Sequence, residues 1–309
     1  MDYDALDAQL GGRLERNVPL APFTTFRIGG PADRLFRART AAALVEAIGA
    51  SRAAGVPWFV LGRGANILVG DLGYRGLVIR SEVAGITFLE GDRVRAGAGV
   101  ETFHDLIEAT VSRGLGGLHH YVGIPSTVGG ALWQNLHFLS PAPERARTCF
   151  IAEVLESAEV LLADGGLQTV GADWFRFGYD YSTLHDAPHV VLSATFRLQA
   201  EPVPELRRVI HENLEWRAGR HPDLWLYPCA GSIFRKIDDV GAGRLIDECG
   251  LKGKVLGNAR IYPRHANIIV NLGGASAAEV RALMELARET VERELGLALE
   301  PEIQLIGEF

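Results

Sequence analysis

The sequence predicts an α+β protein of two or three domains. Three observations predict it. The length of 309 residues exceeds a typical domain of about 100–200 residues. The first stretch reads as strand, helix and strand, whereas from about residue 77 short alternating runs broken by Gly-Asp take over. A third texture follows "EPVPEL" at 201–206, a linker by composition, where amphipathic helices flank an apolar strand. The expected segments are therefore 1–76, 77–200 and 201–302.

Each element rests on its own spacing. "AAALVEAIGASRAAGV" places Leu44, Val45 and Ile48 on one face of a helix that ends at Gly55. "PWFVLG" and "GLVIR" read as buried strands. In the middle segment "GITFLEGDRVRAGAGV" is a hairpin, and "ETFHDLIEATVSRG" is an amphipathic helix through Phe103, Leu106, Ile107 and Val111. "AEVLESAEVLLADGGLQTV" fits helix or strand by pattern, and its Ala-Asp-Gly-Gly suits a turn between strands. "HVVLSATFRLQ" adds a strand. The last segment opens on a helix with Leu206, Val209, Ile210 and Leu214 in phase, then the short helix "AGRLIDECG" and the strand "ANIIVN". Ser276 and Glu279 have capping-box spacing. They open a final helix carrying Val280, Leu283, Met284, Ala287 and Val291.

Composition narrows the function. A hydrophobic fraction of 48% is that of an ordinary globular core. A net charge of −7 argues against general nucleic-acid or membrane-surface binding, though not against a local basic site. No apolar run reaches about 18 residues, so no membrane insertion is expected. The start, "MDYDALDAQLGGRLERN", lacks the basic and apolar regions of a signal peptide, which points to the cytoplasm. Cys149, Cys229 and Cys249 are few and scattered, so neither a disulfide framework nor a metal site is expected.

Three glycine-dense stretches stand out: "TTFRIGGPADRLF", "LGRGANILVGD" and "VGIPSTVGGALWQN". Such turns are either plain chain reversals or backbone cradles for phosphate oxygens. None matches the Rossmann fingerprint or the P-loop, so a nucleotide site would have another architecture. Later, "YPCAGSIFRKI" sets Ser232 between a small-residue turn and the cations Arg235 and Lys236. That serine could be a turn residue, a phosphate binder, a nucleophile or a proton donor.

Taken in order, "LGRGANILVGD", "GIPSTVGGALWQN", "PCAGSIFRK", "GRLIDECGLKG", "HANIIVN" and "LEPEIQLIG" resemble the UDP-N-acetylenolpyruvoylglucosamine reductase family over about residues 20–309. The resemblance implies an FAD-binding pair of subdomains of the vanillyl-alcohol-oxidase (PCMH) type and a C-terminal α+β substrate domain. Residues 303–309 would return to the first segment. FAD would be held by Gly62, Arg63, Gly64, Ala65 and Asn66, by Gly97 with Ala98 and Gly99, and by Gly123, Ile124, Pro125, Thr127, Gly129 and Gly130. NADPH would be the reductant and a UDP-linked enolpyruvyl amino sugar the substrate, with the chain acting as a monomer. Ser232 would give a proton to the alkene, assisted by Glu302. Glu300 points the same way in an extended segment, so spacing alone does not separate the two. Tyr179, Arg220, Arg235 and Lys236 would contact substrate, and Arg27 is either a further site cation or a surface ion-pair member.

The sequence also leaves the family pattern. Where the family carries Y-R-x-S, this chain has Tyr179-Asp180-Tyr181-Ser182. A carboxylate facing an anionic substrate would repel it, so either Asp180 turns away or activity is weakened. Arg176, Arg220 and Arg235 are candidate substitutes. N-A-G-A is replaced by Asn135-Leu136-His137-Phe138, and His119, His120, Tyr121, Trp133 and His137 read as packing or flavin lining. The third segment is short after Ser232, without room for the substrate-capping loop of one subtype. Another flavin-dependent oxidoreductase on the same scaffold, and a non-catalytic relative, remain alternatives.

Overall fold

The computed structural model describes residues 1–141 and 143–309. Two compact units organise the chain. Met1–Leu14, Phe36–Arg63 and Val78–Arg217 form the first, and Glu15–Leu35, Gly64–Leu77 and Ala218–Phe309 the second. The chain passes between them inside the strands Leu14–Pro19, Pro31–Ala38 and Tyr74–Ser81, and again after Arg63 and after Arg217.

The first unit is built on an antiparallel sheet ordered Leu167–Gly171, Leu155–Leu161, Val190–Arg197, Arg93–Gly97 and Ile86–Leu89. The hairpin expected at Gly-Asp turns through Gly91 and Asp92, both at positive φ. The ambiguous segment is the pair of strands that Ala-Asp-Gly-Gly suggested. Val190–Arg197 lies mid-sheet with the helix Val128–Gln134 packed against it. Burial of both its faces explains its nearly unbroken apolar run. Val94, Ala96, Ala131, Leu132, Phe175 and Phe196 are among the core residues. The helix Ala41–Ala53 buries Leu44 and Ile48, with Val45 only half-buried. The strand Trp58–Leu61 buries only Leu61 fully.

Two expected helices differ in detail. The stretch at 101–111 is helical only over Ile107–Val111, because Phe103 and His104 leave helical geometry, His104 at φ 76°. The Thr102 amide instead donates to Ser126 O at 3.0 Å, tying this segment to the glycine-rich loop. The helix Val203–Ala218 starts inside the stretch read as a linker, with Pro204 in its first turn, where no N–H is needed. Its buried stripe runs through Leu206, Val209 and Asn213, while Leu214 is exposed. Asn213 can be buried because Arg145 donates to its Oδ1 at 2.7 Å and its Nδ2 donates to Ser140 Oγ at 3.2 Å. Leu206 joins the first unit's core, and Ile210 and Trp216 pack on it.

In the second unit, the helices Ala242–Glu248 and Ala277–Leu295 pack with a three-stranded antiparallel sheet of Val255–Leu256, Ala259–Ile261 and Ile269–Asn271. The capping box forms as spaced: Glu279 N donates to Ser276 Oγ at 3.1 Å, and Ser276 N to Glu279 Oε2 at 3.0 Å. Val280, Leu283, Met284, Ala287 and Val291 are all buried. Asp71 adds a second cap, accepting from Ala277 N at 2.8 Å and Ala278 N at 2.9 Å. The strand Gln304–Ile306 pairs in parallel with Ile67–Val69.

Candidate active site

In the first unit two loops meet. Gly62 follows the strand Trp58–Leu61, and Thr127 caps the helix Val128–Gln134 by accepting from Gly130 N at 3.3 Å. A Cβ on Gly62 would lie 2.6 Å from Thr127 Oγ1, so any larger residue there would push the cap aside. Among the described residues, the amides of Arg63, Gly123, Ser126 and Thr127 donate to no protein acceptor. Gly123, Ile124 and Pro125 are half-buried. The amides of Gly97, Gly99 and Gly129 are already committed, to Gly85 O, Val83 O and Ala98 O. Gly97 and Gly99 lie against the backbone of Val83, where a Cβ would come within 2.5 Å and 2.4 Å. Close chain packing is thus a sufficient reason for these two glycines. Arg63 pairs with Glu101 at 3.4 Å. Near it Arg80 keeps Nη1 buried without a partner. Burial, and then the charge of Arg63, hold the Arg80 guanidinium below its ordinary pKa.

The second unit brings Ser232, Glu302 and Asn66 together. Glu302 N donates to Ile233 O at 2.8 Å, and Arg235 N donates to Glu300 O at 2.9 Å. Asn66 Nδ2 reaches Glu302 O at 3.3 Å, and Gln304 N donates to Asn66 O at 3.0 Å. Asn267 clamps Phe234 through both backbone groups. Ser232 is half-buried, and its hydroxyl has no hydrogen-bond partner among the described residues. Glu302 is half-buried, whereas Glu300 is exposed. Arg235 keeps Nε buried and unpaired, with no ion pair among the described residues. Lys236 and Arg220 are exposed. The amides of Gly64 and Ala65 are also without a protein acceptor among the described residues. Gly64 needs its φ of 65° and its missing Cβ, which would strike Phe23 O at 2.4 Å. Arg27 lies over the ring of Trp225 at 5.4 Å and has no ion pair among the described residues.

A third cluster, in the first unit, follows the helix Val128–Gln134. Asp180 is 1% exposed and adopts φ 52°. Its Oδ1 is 3.9 Å from His137 Nδ1, and its Oδ2 has no partner among the described residues. His137 packs against Tyr179, which is 42% exposed, with ring centroids 4.6 Å apart. Arg176 is engaged elsewhere, with Asp186 at 2.5 Å and Thr183 at 3.1 Å. His119 and His120 are packing residues: burial pushes their imidazoles down to about 3 and about 4. Among the described residues no cluster of His, Cys, Asp and Glu could hold a metal ion.

A model of an FAD binding domain matches residues 32–171, and one of the C-terminal domain of UDP-N-acetylenolpyruvoylglucosamine reductase matches residues 222–306. The UDP-N-acetylenolpyruvoylglucosamine reductase of Moorella thermoacetica is 39% identical over 100% of this chain and 99% of its own. This chain belongs to the UDP-N-acetylenolpyruvoylglucosamine reductase family. The Geobacter metallireducens reductase is 37% identical over 99% of this chain and 98% of its own. The crystal structure of the Thermus caldophilus reductase superposes with a TM-score of 0.78 at 34% identity, covering 95% of this chain and 99% of that one.

Within this reductase family's fold, the residues present fit an FAD pyrophosphate. The glycine loops offer runs of unpaired amides, the donor set that phosphate oxygens need. Arg80 carries no local signal, because it reads as the polar end of the apolar strand "GLVIR". Asp71 was missed as well, since its helix partners lie far along the chain. Two of the departures from the family pattern, at 137 and 180, prove to be neighbours.

Proposed function

We propose that this chain is the NADPH-dependent FAD enzyme of peptidoglycan synthesis that reduces UDP-N-acetylglucosamine enolpyruvate to UDP-N-acetylmuramate. Full-length similarity to named reductases supports the substrate class. The chemistry is carried by one observation: the backbone bond from Glu302 N to Ile233 O, which ties half-buried Glu302 to the residue after Ser232, whose hydroxyl has no partner among the described residues.

FAD held here would supply two-electron chemistry, by which a hydride from NADPH would reach the terminal alkene carbon. In this reading the free amides of Arg63, Gly123 and Thr127 in the first unit would hold its phosphates, with Arg80 adding positive charge, and in the second unit Gly64 and Ala65 offer free amides of the same kind. Asn66 braces the loop against the backbone of Glu302. Hydride addition leaves negative charge on the carbon next to the carboxylate. Ser232 Oγ delivers a proton there, and Arg235 offsets the charge on the weakly acidic serine. Glu302 assists the proton transfer. Tyr179, Arg220 and Lys236 are exposed enough to meet the sugar and its phosphates. The parallel pairing of Gln304–Ile306 with Ile67–Val69 supports a three-segment organisation in which the C-terminus returns to the first. Among the described residues no helix is long and apolar enough to cross a membrane; a cytoplasmic monomer is the form proposed.

The test is steady-state NADPH oxidation by the FAD-loaded protein with and without the enolpyruvyl sugar. Oxidation that depends on the sugar and yields UDP-N-acetylmuramate is expected. Oxidation indifferent to the sugar would refute the reading.

A further inference from the structure

We propose that His137 binds an anionic oxygen of the substrate through Nε2, with Asp180 as the positioning residue that holds its ring. The inference rests on the reductase reading above. His137 Nδ1 lies 3.1 Å from Asn135 O. A carbonyl oxygen only accepts, so Nδ1 carries the proton and Nε2 is the nitrogen left for a ligand. Phe150 and Tyr179 flank the ring, with centroids 5.1 Å and 4.6 Å away. The ring is therefore held in one orientation, yet the side chain keeps 19% of its exposure. The ring is thus partly open to solvent rather than sealed in the core.

Asp180 explains why this ring suits an anion. Its carboxylate is buried, and Oδ2 has no partner among the described residues. No lysine or arginine pairs with it among the described residues. An uncompensated buried carboxylate is costly. Donation through both ring nitrogens requires the imidazolium, whose charge Asp180 complements from 3.9 Å. The pair is held deliberately. Asn135 and Asp180 both adopt left-handed backbone, φ 51° and φ 52°. Asn135 Nδ2 donates to Gly178 O at 2.8 Å, locking the two turns together. Asparagine and aspartate tolerate left-handed backbone better than other non-glycine residues, so both turns form at little cost, Asn135 as the C-cap of the helix before it. The enolpyruvyl sugar offers two anionic groups, a carboxylate and a diphosphate, and either would suit Nε2.

Calorimetric titration of FAD-loaded protein tests this. The two ligands are UDP-N-acetylglucosamine enolpyruvate, and UDP-N-acetylglucosamine, which keeps the diphosphate but lacks the carboxylate. His137→Gln is expected to weaken the enolpyruvyl ligand about ten- to a hundredfold, the effect of one charge-assisted hydrogen bond. Weakening of that ligand alone assigns the carboxylate, and equal weakening of both assigns the diphosphate. Asp180→Asn keeps the shape and should weaken binding less. The double variant should bind no more weakly than His137→Gln, because Asp180 acts through the ring. Wild-type affinity for both ligands in His137→Gln, or additive effects in the double variant, would overturn the inference. Wild-type protein that neither binds nor reduces the enolpyruvyl sugar would overturn the reductase reading itself.

Discussion

Ser232→Ala should separate the two halves of the reaction. A proton donor to the alkene acts only when reduced flavin meets substrate, so flavin reduction by NADPH should keep its rate. Reoxidation by the enolpyruvyl sugar should slow by about 10²–10⁴-fold, the usual worth of one acid–base group. Stopped-flow traces slowed equally in both halves would assign Ser232 a structural role instead. The residue was legible only in company: a serine after Ala-Gly fits any turn, and the ordered motifs around it carried the reading. Glu302 could not be told from Glu300 by spacing, since alternate residues of an extended segment share a face. Both residues are tied to the Ser232 segment, Glu302 through Ile233 O and Glu300 through Arg235 N, and Glu302, half-buried where Glu300 is exposed, is the one the proposed function uses. The pairing of His137 with Asp180 was out of reach. Each departure was visible, but nothing local says that two distant turns meet.

Elements were legible where their cause is local. The Ser276–Glu279 box spans one turn, so spacing alone announces it. The second cap is not local: Asp71, in another part of the sequence, takes two amides of the same helix. Asp71→Ala should therefore lower stability by about 1–2 kcal/mol, from a lost cap and a lost favourable charge at the helix N-terminus. Urea denaturation measures it, and an unchanged midpoint would mean that water serves those amides equally well. Elsewhere periodicity misled for physical reasons. At 101–111 the apolar spacing is helical, but the bond from Thr102 to Ser126 pulls the first turn out of register. On Val203–Ala218 the pattern favours Leu214 as a core position, yet the buried place belongs to Asn213. A satisfied buried amide is invisible to a hydrophobicity pattern.

At the scale of the whole molecule, the α+β class was readable because hairpins and amphipathic helices leave local signals. The way the chain crosses between its two compact units inside single strands leaves none. Nor does the burial of ionisable groups, which sets how the fold responds to acid. Burial, and for His119 also the neighbouring His120, pushes the imidazoles of His119 and His120 down to about 3 and about 4. Burial likewise lowers His265. His119 Nδ1 accepts from Gly117 N at 3.0 Å, a bond that protonation would remove. The folded-state values lie below the ordinary histidine value of about 6.5, so the unfolded chain takes up these protons first as pH falls. The stabilisation is fully present above about pH 6.5 and is lost progressively toward pH 4. By pH 5 the loss is about 2 kcal/mol for each of His119 and His120, less where the adjacent rings titrate together. Ordinary carboxylates remain largely ionised at pH 5, so the window isolates the histidines. Urea midpoints should therefore drop between pH 7 and pH 5. His119→Gln and His120→Gln should each flatten that slope, even if they lower stability at pH 7. A slope unchanged in both variants would mean that these rings admit water and titrate normally in the folded protein.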